Sequence, residues 1–143
     1  MKKNLVKGSI ITFTDGSKGT ILRELGEGGQ GIVYLMNYQG RQMAFKWYKE
    51  NPGRGFISNL KNNASVGAPS DEFLWPLAVS NGEHGSVGYL MKLRPEGFHD
   101  MSQFLLNKVQ FASDDALIRA ALSICGAFQK LHIKGLCYFD LND

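Results

Sequence analysis

The glycine-rich segment at residues 26–31 constrains the fold of this chain more than any other feature. It consists of Gly26, Glu27, Gly28, Gly29, Gln30 and Gly31. Three of these glycines have the spacing G-x-G-x-x-G, which lets a backbone loop lie close to a string of phosphates because no Cβ intervenes. The spacing alone is ambiguous, since it also occurs where a dinucleotide-binding fold opens a helix.

The residues after the glycines predict a strand and not a helix. Residues 32–38 are rich in β-branched and aromatic side chains and show no helical period. Gln39 and Gly40 form a turn signal, and a second strand-like run covers residues 42–48. The glycines are therefore predicted to lie at the tip of one hairpin, with Lys46 on the second strand of the next hairpin.

Alternation along residues 42–48 separates two faces, because successive side chains of a strand point in opposite directions. One face carries Ala44, Lys46 and Tyr48, and the other carries Met43, Phe45 and Trp47. A glycine-rich hairpin with a solvated lysine is the structural alternative. The glycine segment, the strand after it, the turn and the strand that carries Lys46 agree in order and spacing, and this agreement argues against the alternative.

Composition indicates one globular domain. Of the 143 residues, 43% are hydrophobic and 11% aromatic, which is enough for a core and too much for a disordered chain. The net charge of +3 is too small to favour a nucleic-acid partner. No signal peptide and no membrane-spanning run is evident, and Cys125 and Cys137 lack metal-site spacing, so we expect a cytoplasmic protein without a metal site of its own.

The chain reads as strands first and helices later. Strands are predicted at residues 7–13, 20–25, 32–38, 42–48, 73–79 and 86–93. A helix is predicted at residues 56–64, and a long amphipathic helix is predicted to start at Ser113, an N-cap residue, and to end near His132.

This order of elements, together with the glycine segment and Lys46, resembles the protein-kinase-like family of the bacterial serine/threonine type. The resemblance implies an α+β fold: an N-terminal lobe with a twisted antiparallel sheet and one helix, then a hinge and the first helices of a truncated C-terminal lobe. We expect residues 1–92 to form the lobe and residues 93–143 to form the hinge, a short helix at 101–106 and the partial second lobe.

The same resemblance implies roles for single residues. Val33 and Ala44 would cover the base of ATP, and Lys46 would pair with its phosphates. Met91 would precede the hinge, and Lys92, Leu93 and Arg94 would form the hinge, whose backbone groups can bind the adenine edges. Asp140 would accept the proton of a protein hydroxyl and orient it for attack. The face of Phe45 and Trp47 is then expected to pack under the helix at residues 56–64.

Departures from the family pattern matter as well. Tyr138 and Phe139 stand where the family has His and Arg, and Asn142 stands where many kinases have a lysine. The helix acid expected to pair with Lys46 is not visible at residues 59–63, and Glu72 comes too late. The family's Mg²⁺ ligands would lie beyond residue 143, so the chain alone is expected to be inactive, with an apolar stripe on the long helix that favours self-association.

Three functions are consistent with these residues. The first is the ATP-binding portion of a serine/threonine-type protein kinase, which transfers a phosphoryl group to a protein substrate. The alternative is a pseudokinase or nucleotide-sensing module that binds ATP without catalysis. The third is an adaptor that keeps the fold and binds no nucleotide, and the open glycine loop argues against it.

Overall fold

The computed structural model describes residues 4–138. These residues divide into two compact units. The first unit runs to Ala68 and includes Leu74–Arg94, and the second comprises Pro69–Phe73 and continues from Pro95.

The first unit is a six-stranded antiparallel sheet with one helix. Its elements are β1 (Ile10–Thr12), β2 (Lys18–Glu27), β3 (Gly31–Tyr38), β4 (Arg41–Tyr48), α1 (Arg54–Val66), β5 (Ala78–Val79) and β6 (Gly88–Met91). The strand order is β1-β2-β3-β4-β6-β5. The predicted sheet and helix are confirmed, but the strand predicted over residues 73–79 is wrong in its first part, where Pro76 has no N–H to donate to a ladder.

The sheet curls until its two outermost strands meet. Phe13 forms an isolated antiparallel bridge with Ser80. The Thr14 N–H donates to the Val79 carbonyl at 2.9 Å, and the Asn81 N–H donates to the Thr12 carbonyl at 3.0 Å. The sheet therefore closes around one of its faces, which we call the inner face.

The inner face is filled by large apolar side chains. The buried cluster comprises Leu5, Ile11, Phe13, Ile21, Ile32, Tyr34, Met36, Phe45, Trp47 and Leu90. Phe13 and Phe45 meet edge to face, with ring centroids 6.0 Å apart. Aromatic pairs prefer this arrangement because the positive edge of one ring faces the negative face of the other.

The helix α1 packs on the opposite side of the sheet, the outer face, which carries Ala44, Lys46 and Tyr48. A second cluster there joins Tyr48 and Val79 to Leu60, with Ile57 packed against it. The expectation that the helix covers the Phe45 and Trp47 face is therefore wrong. Strands already fill that face, so the apolar side of α1 can only be buried on the face of Lys46.

The second unit contains α2 (Met101–Leu105) and α3 (Asp114–Ile133). The Ser113 hydroxyl accepts a hydrogen bond from the Ala116 N–H at 3.1 Å, which confirms the predicted N-cap. Asp114 and Asp115 lie in the first turn, where a carboxylate complements the helix dipole. Gly135, with φ of 72°, follows the end of the helix in the left-handed region that favours glycine.

Glu72 belongs to the second unit and pairs with Lys130 of α3. The Lys130 Nζ lies 2.9 Å from the Glu72 Oε1. The Ser70 hydroxyl and the Lys130 ammonium lower the pKa of Glu72 from its ordinary value of 4.5 to about 2. Glu72, which the sequence analysis placed too late to pair with Lys46, therefore pairs with a lysine of its own unit.

The variant Glu72→Gln tests this pair through its pH dependence. The folded-state pKa is lower than the ordinary value, so the carboxylate stabilises the fold above pH 4.5, and this contribution is lost as the pH falls toward 2. We expect wild type to melt slightly above the variant at pH 7 and the two melting temperatures to converge between pH 4.5 and pH 2. Glu96→Gln, which changes an exposed carboxylate of the same unit, is the control. A Glu72→Gln difference that is unchanged at pH 2 would contradict the assignment.

Candidate functional site

The glycine segment forms the turn between β2 and β3. Gly26 and Glu27 end β2, and Gly31 begins β3. The Gly28 N–H donates to the Gly31 carbonyl at 2.9 Å, while the Lys49 N–H donates to the Gln30 carbonyl at 3.1 Å. The tip of the hairpin is thus held at its base by backbone hydrogen bonds, and its surface is exposed.

The fold accounts for only one glycine of this segment. A Cβ at Gly31 would collide with the backbone carbonyl oxygen of Trp47 on β4. At Gly28 the nearest atom to an added Cβ lies 4.0 Å away, and at Gly26 and Gly29 there is open space. None of these glycines has a positive φ. Glycine is therefore required at Gly31 by strand packing, whereas packing within the described residues leaves room for side chains at the other three.

The outer face brings predicted residues from three strands into two adjacent rows. One row is Val33, Lys46 and Tyr89, and the next is Leu35, Ala44 and Met91. Alternation from Val33 could have identified Leu35. The place of Tyr89 depends on the pairing of β4 with β6, which local sequence does not specify.

The predicted hinge follows β6 directly. Met91 is its last strand residue and is buried, while Lys92 and Leu93 lie outside regular structure. Met91 pairs with Ala44 across the two strands, so the backbone after it leaves from the edge of the outer-face rows. Asp140 lies outside the described residues, as does Phe139, and their predicted roles remain predictions.

Lys46 is half-buried, and its ammonium group lies over an aromatic ring. Its Nζ lies 5.4 Å from the centroid of the Tyr48 ring. The sequence of α1, RGFISNLKNNASV, contains no aspartate or glutamate. Across residues 4–138, no carboxylate lies within ion-pair distance of the Lys46 Nζ.

Glu27 and Lys49 form an ion pair at the base of the glycine turn. The Lys49 Nζ lies 2.6 Å from the Glu27 Oε1, and both side chains are more than a third exposed. Exposed pairs of this kind contribute little to stability, typically below about 1 kcal/mol. The pair links β2 to the residue after β4 and engages the side chain of Glu27, a residue that the sequence assigned to nucleotide binding through its place in the loop.

Residues 4–138 contain neither a cluster of metal-ligating side chains nor a membrane-spanning helix. No group of three or more histidine, cysteine, aspartate or glutamate side chains in this range could hold a metal ion. In the same range, no helix has the length and apolar character needed to cross a bilayer.

The comparison with solved structures shows the fold. The crystal structure of the kinase domain of Mycobacterium tuberculosis PknI, a cysteine-to-alanine mutant, matches with a TM-score of 0.69 and 20% sequence identity. The match covers 98% of this chain and 56% of that kinase domain. The chain thus has a protein-kinase-like fold, as predicted, and spans little more than half the length of the domain it matches. No protein-family model and no curated protein sequence matches the chain.

Proposed function

We propose that this chain supplies the ATP-binding lobe of a serine/threonine-type protein kinase. The observation that carries the proposal is the position of Lys46. This lysine lies on the outer face of β4 opposite Val33 of β3, and β3 begins at the exposed glycine turn. A cation beside a turn that exposes backbone N–H groups is suited to bind phosphates. The likeness to a kinase domain supports the same assignment.

The proposed binding mode uses the two outer-face rows. The adenine ring lies on the apolar side chains of Val33, Leu35, Ala44 and Met91, and its edges meet backbone groups of Lys92 and Leu93. Apolar walls with a few placed polar groups are typical of sites for small molecules. The phosphates lie under the glycine turn, within reach of the Lys46 ammonium.

Phosphoryl transfer is proposed for the complete kinase. Asp140 accepts the proton of a protein hydroxyl, a role assigned by the resemblance of the segment around it to a kinase catalytic loop. Such a transfer would also require Mg²⁺ to neutralise the charge that develops on the transferred phosphoryl group. A protein substrate and a cytoplasmic location belong to the same proposal.

A second function is favoured by one observation, the helix α1 without an acid. A protein that binds ATP and senses it without transfer has no need for a carboxylate that orders Lys46. The two functions share the nucleotide site and differ in the fate of the γ-phosphate.

Asp140→Asn separates the two functions. In a catalytic kinase, the amide cannot accept the substrate proton, so transfer of the γ-phosphate to protein should fall by at least about a hundredfold, while ATP affinity is unchanged. The measurement is incorporation of labelled phosphate by the complete protein, with ATP affinity determined by calorimetry. Absence of transfer from the unmodified complete protein, with intact ATP binding, would favour the sensing module.

Lys46→Ala should weaken ATP binding. Loss of a charge-assisted contact to phosphate is expected to cost about 1–3 kcal/mol, which is roughly a fivefold to 150-fold increase in Kd. Isothermal titration with ATP measures the change, and Lys61→Ala, which removes an exposed lysine of α1, is the control. Equal ATP affinity in wild type and Lys46→Ala would show that the lysine does not bind phosphate.

Gly28→Val should weaken ATP binding without changing stability. The free protein has room for the added side chain, because the nearest atom to its Cβ lies 4.0 Å away, but the side chain would stand between the turn and the phosphates. The matched control is Gly31→Ala, whose Cβ meets the Trp47 carbonyl. We expect that variant to lose about 1–3 kcal/mol of unfolding free energy in urea. If Gly28→Val binds ATP as wild type does, the turn does not cover the phosphates.

A further inference from the structure

We propose that Tyr48 is the positioning residue for Lys46, because the face of its ring holds the lysine ammonium on the outer face of the sheet. This inference rests on the proposed function, since it names the side chain that orients the phosphate-binding lysine. The partner of the cation is an aromatic ring on its own strand, and not a carboxylate on the neighbouring helix.

The geometry is that of a cation–π contact. Lys46 and Tyr48 are two residues apart on β4, so their side chains leave the strand on the same face. The distance of 5.4 Å from the Nζ to the ring centroid lies within the range of about 6 Å over which the ring quadrupole attracts a cation. Partial burial of Lys46 strengthens this attraction because less water competes for the ammonium.

The ring of Tyr48 is held in place on two sides. Phe56 of α1 meets it edge to face with centroids 5.3 Å apart, and Tyr89 of β6 lies 6.2 Å away on a tilted plane. Only 7% of Tyr48 is exposed. A side chain packed this closely has few rotamers available, so its face is a fixed surface for the lysine.

The side chains around Lys46 leave the face of the Tyr48 ring as the partner of its ammonium group. The side of α1 that packs near Tyr48 consists of Ile57, Leu60 and Ala64, all apolar. Burial, with a smaller contribution from Tyr89, raises the pKa of the Tyr48 hydroxyl. The hydroxyl is therefore neutral at physiological pH, and the attraction for Lys46 comes from the ring and not from a phenolate.

Placement of both partners on one strand has a functional consequence. Tyr48 and Lys46 leave the same strand on the same face, so the contact can form in the nucleotide-free protein and needs no acid from α1.

Spectroscopy of Lys46 tests the contact without any nucleotide. Reductive methylation with ¹³C labels each lysine and keeps its charge, and Lys46→Arg identifies the Lys46 signal. Nuclei that lie over an aromatic face resonate upfield, so we expect an upfield-shifted Lys46 methyl signal in the wild-type protein. The shift should disappear in Tyr48→Leu and return in Tyr48→Phe, which keeps the ring. Tyr38→Leu, which removes a ring packed against the inner cluster, should leave the shift unchanged.

ATP affinity provides the functional arm. We expect Tyr48→Leu to weaken ATP binding about three- to tenfold, as loss of a cation–π contact predicts, and Tyr48→Phe to restore it. A folded Tyr48→Leu protein with wild-type ATP affinity would overturn the positioning role, as would loss of affinity in Tyr48→Phe. If Tyr48→Leu does not fold, the Lys46 methyl signal of the wild-type protein still tests the contact. An unshifted signal would overturn it. Failure of wild type to bind ATP while the upfield shift is present would overturn the proposed function alone.

Discussion

Closure of the curled sheet is the constraint on which the rest of the first unit depends. Backbone hydrogen bonds between residues 12–14 and 79–81 join β1 to the end of β5, and the strands between them enclose the inner cluster. Burial of these aromatic and aliphatic side chains is the main favourable term in the folding of the sheet. Once the inner face is filled, any other packing partner or ligand must use the outer face or the hairpin tip.

The helix and the lysine therefore share a face. The apolar side of α1 is buried beside Tyr48, and Lys46 lies on the same strand and the same face as Tyr48. Burial of a charge without a partner costs free energy. A half-buried ammonium over an aromatic ring avoids much of this cost, because it stays partly hydrated and is attracted by the ring quadrupole. The outer face thereby has a packed part under α1 and a part around Lys46, Val33 and Ala44 that we propose as the nucleotide site.

Local sequence was sufficient for the features that depend on neighbouring residues. The glycine turn, the alternation along β4 and the Ser113 cap follow from conformational preferences over a few positions. The face of the sheet on which α1 packs was predicted wrongly. Alternation along a strand defines two faces, but it does not tell which of them becomes the interior when the sheet closes. The position of Tyr89 beside Lys46 was missed for a related reason, since it depends on the pairing of strands that are far apart in sequence. The role of Asp140 remains a prediction.

The bridge between Phe13 and Ser80 also determines how the first unit can meet other molecules. A sheet edge with unpaired N–H and C=O groups acts as a template for strands of other chains, which is why exposed edges promote aggregation. Here the two edge strands have only three and two residues, and the segments that extend them are hydrogen-bonded to each other. Addition of a strand from another chain at either edge of this sheet is thereby disfavoured.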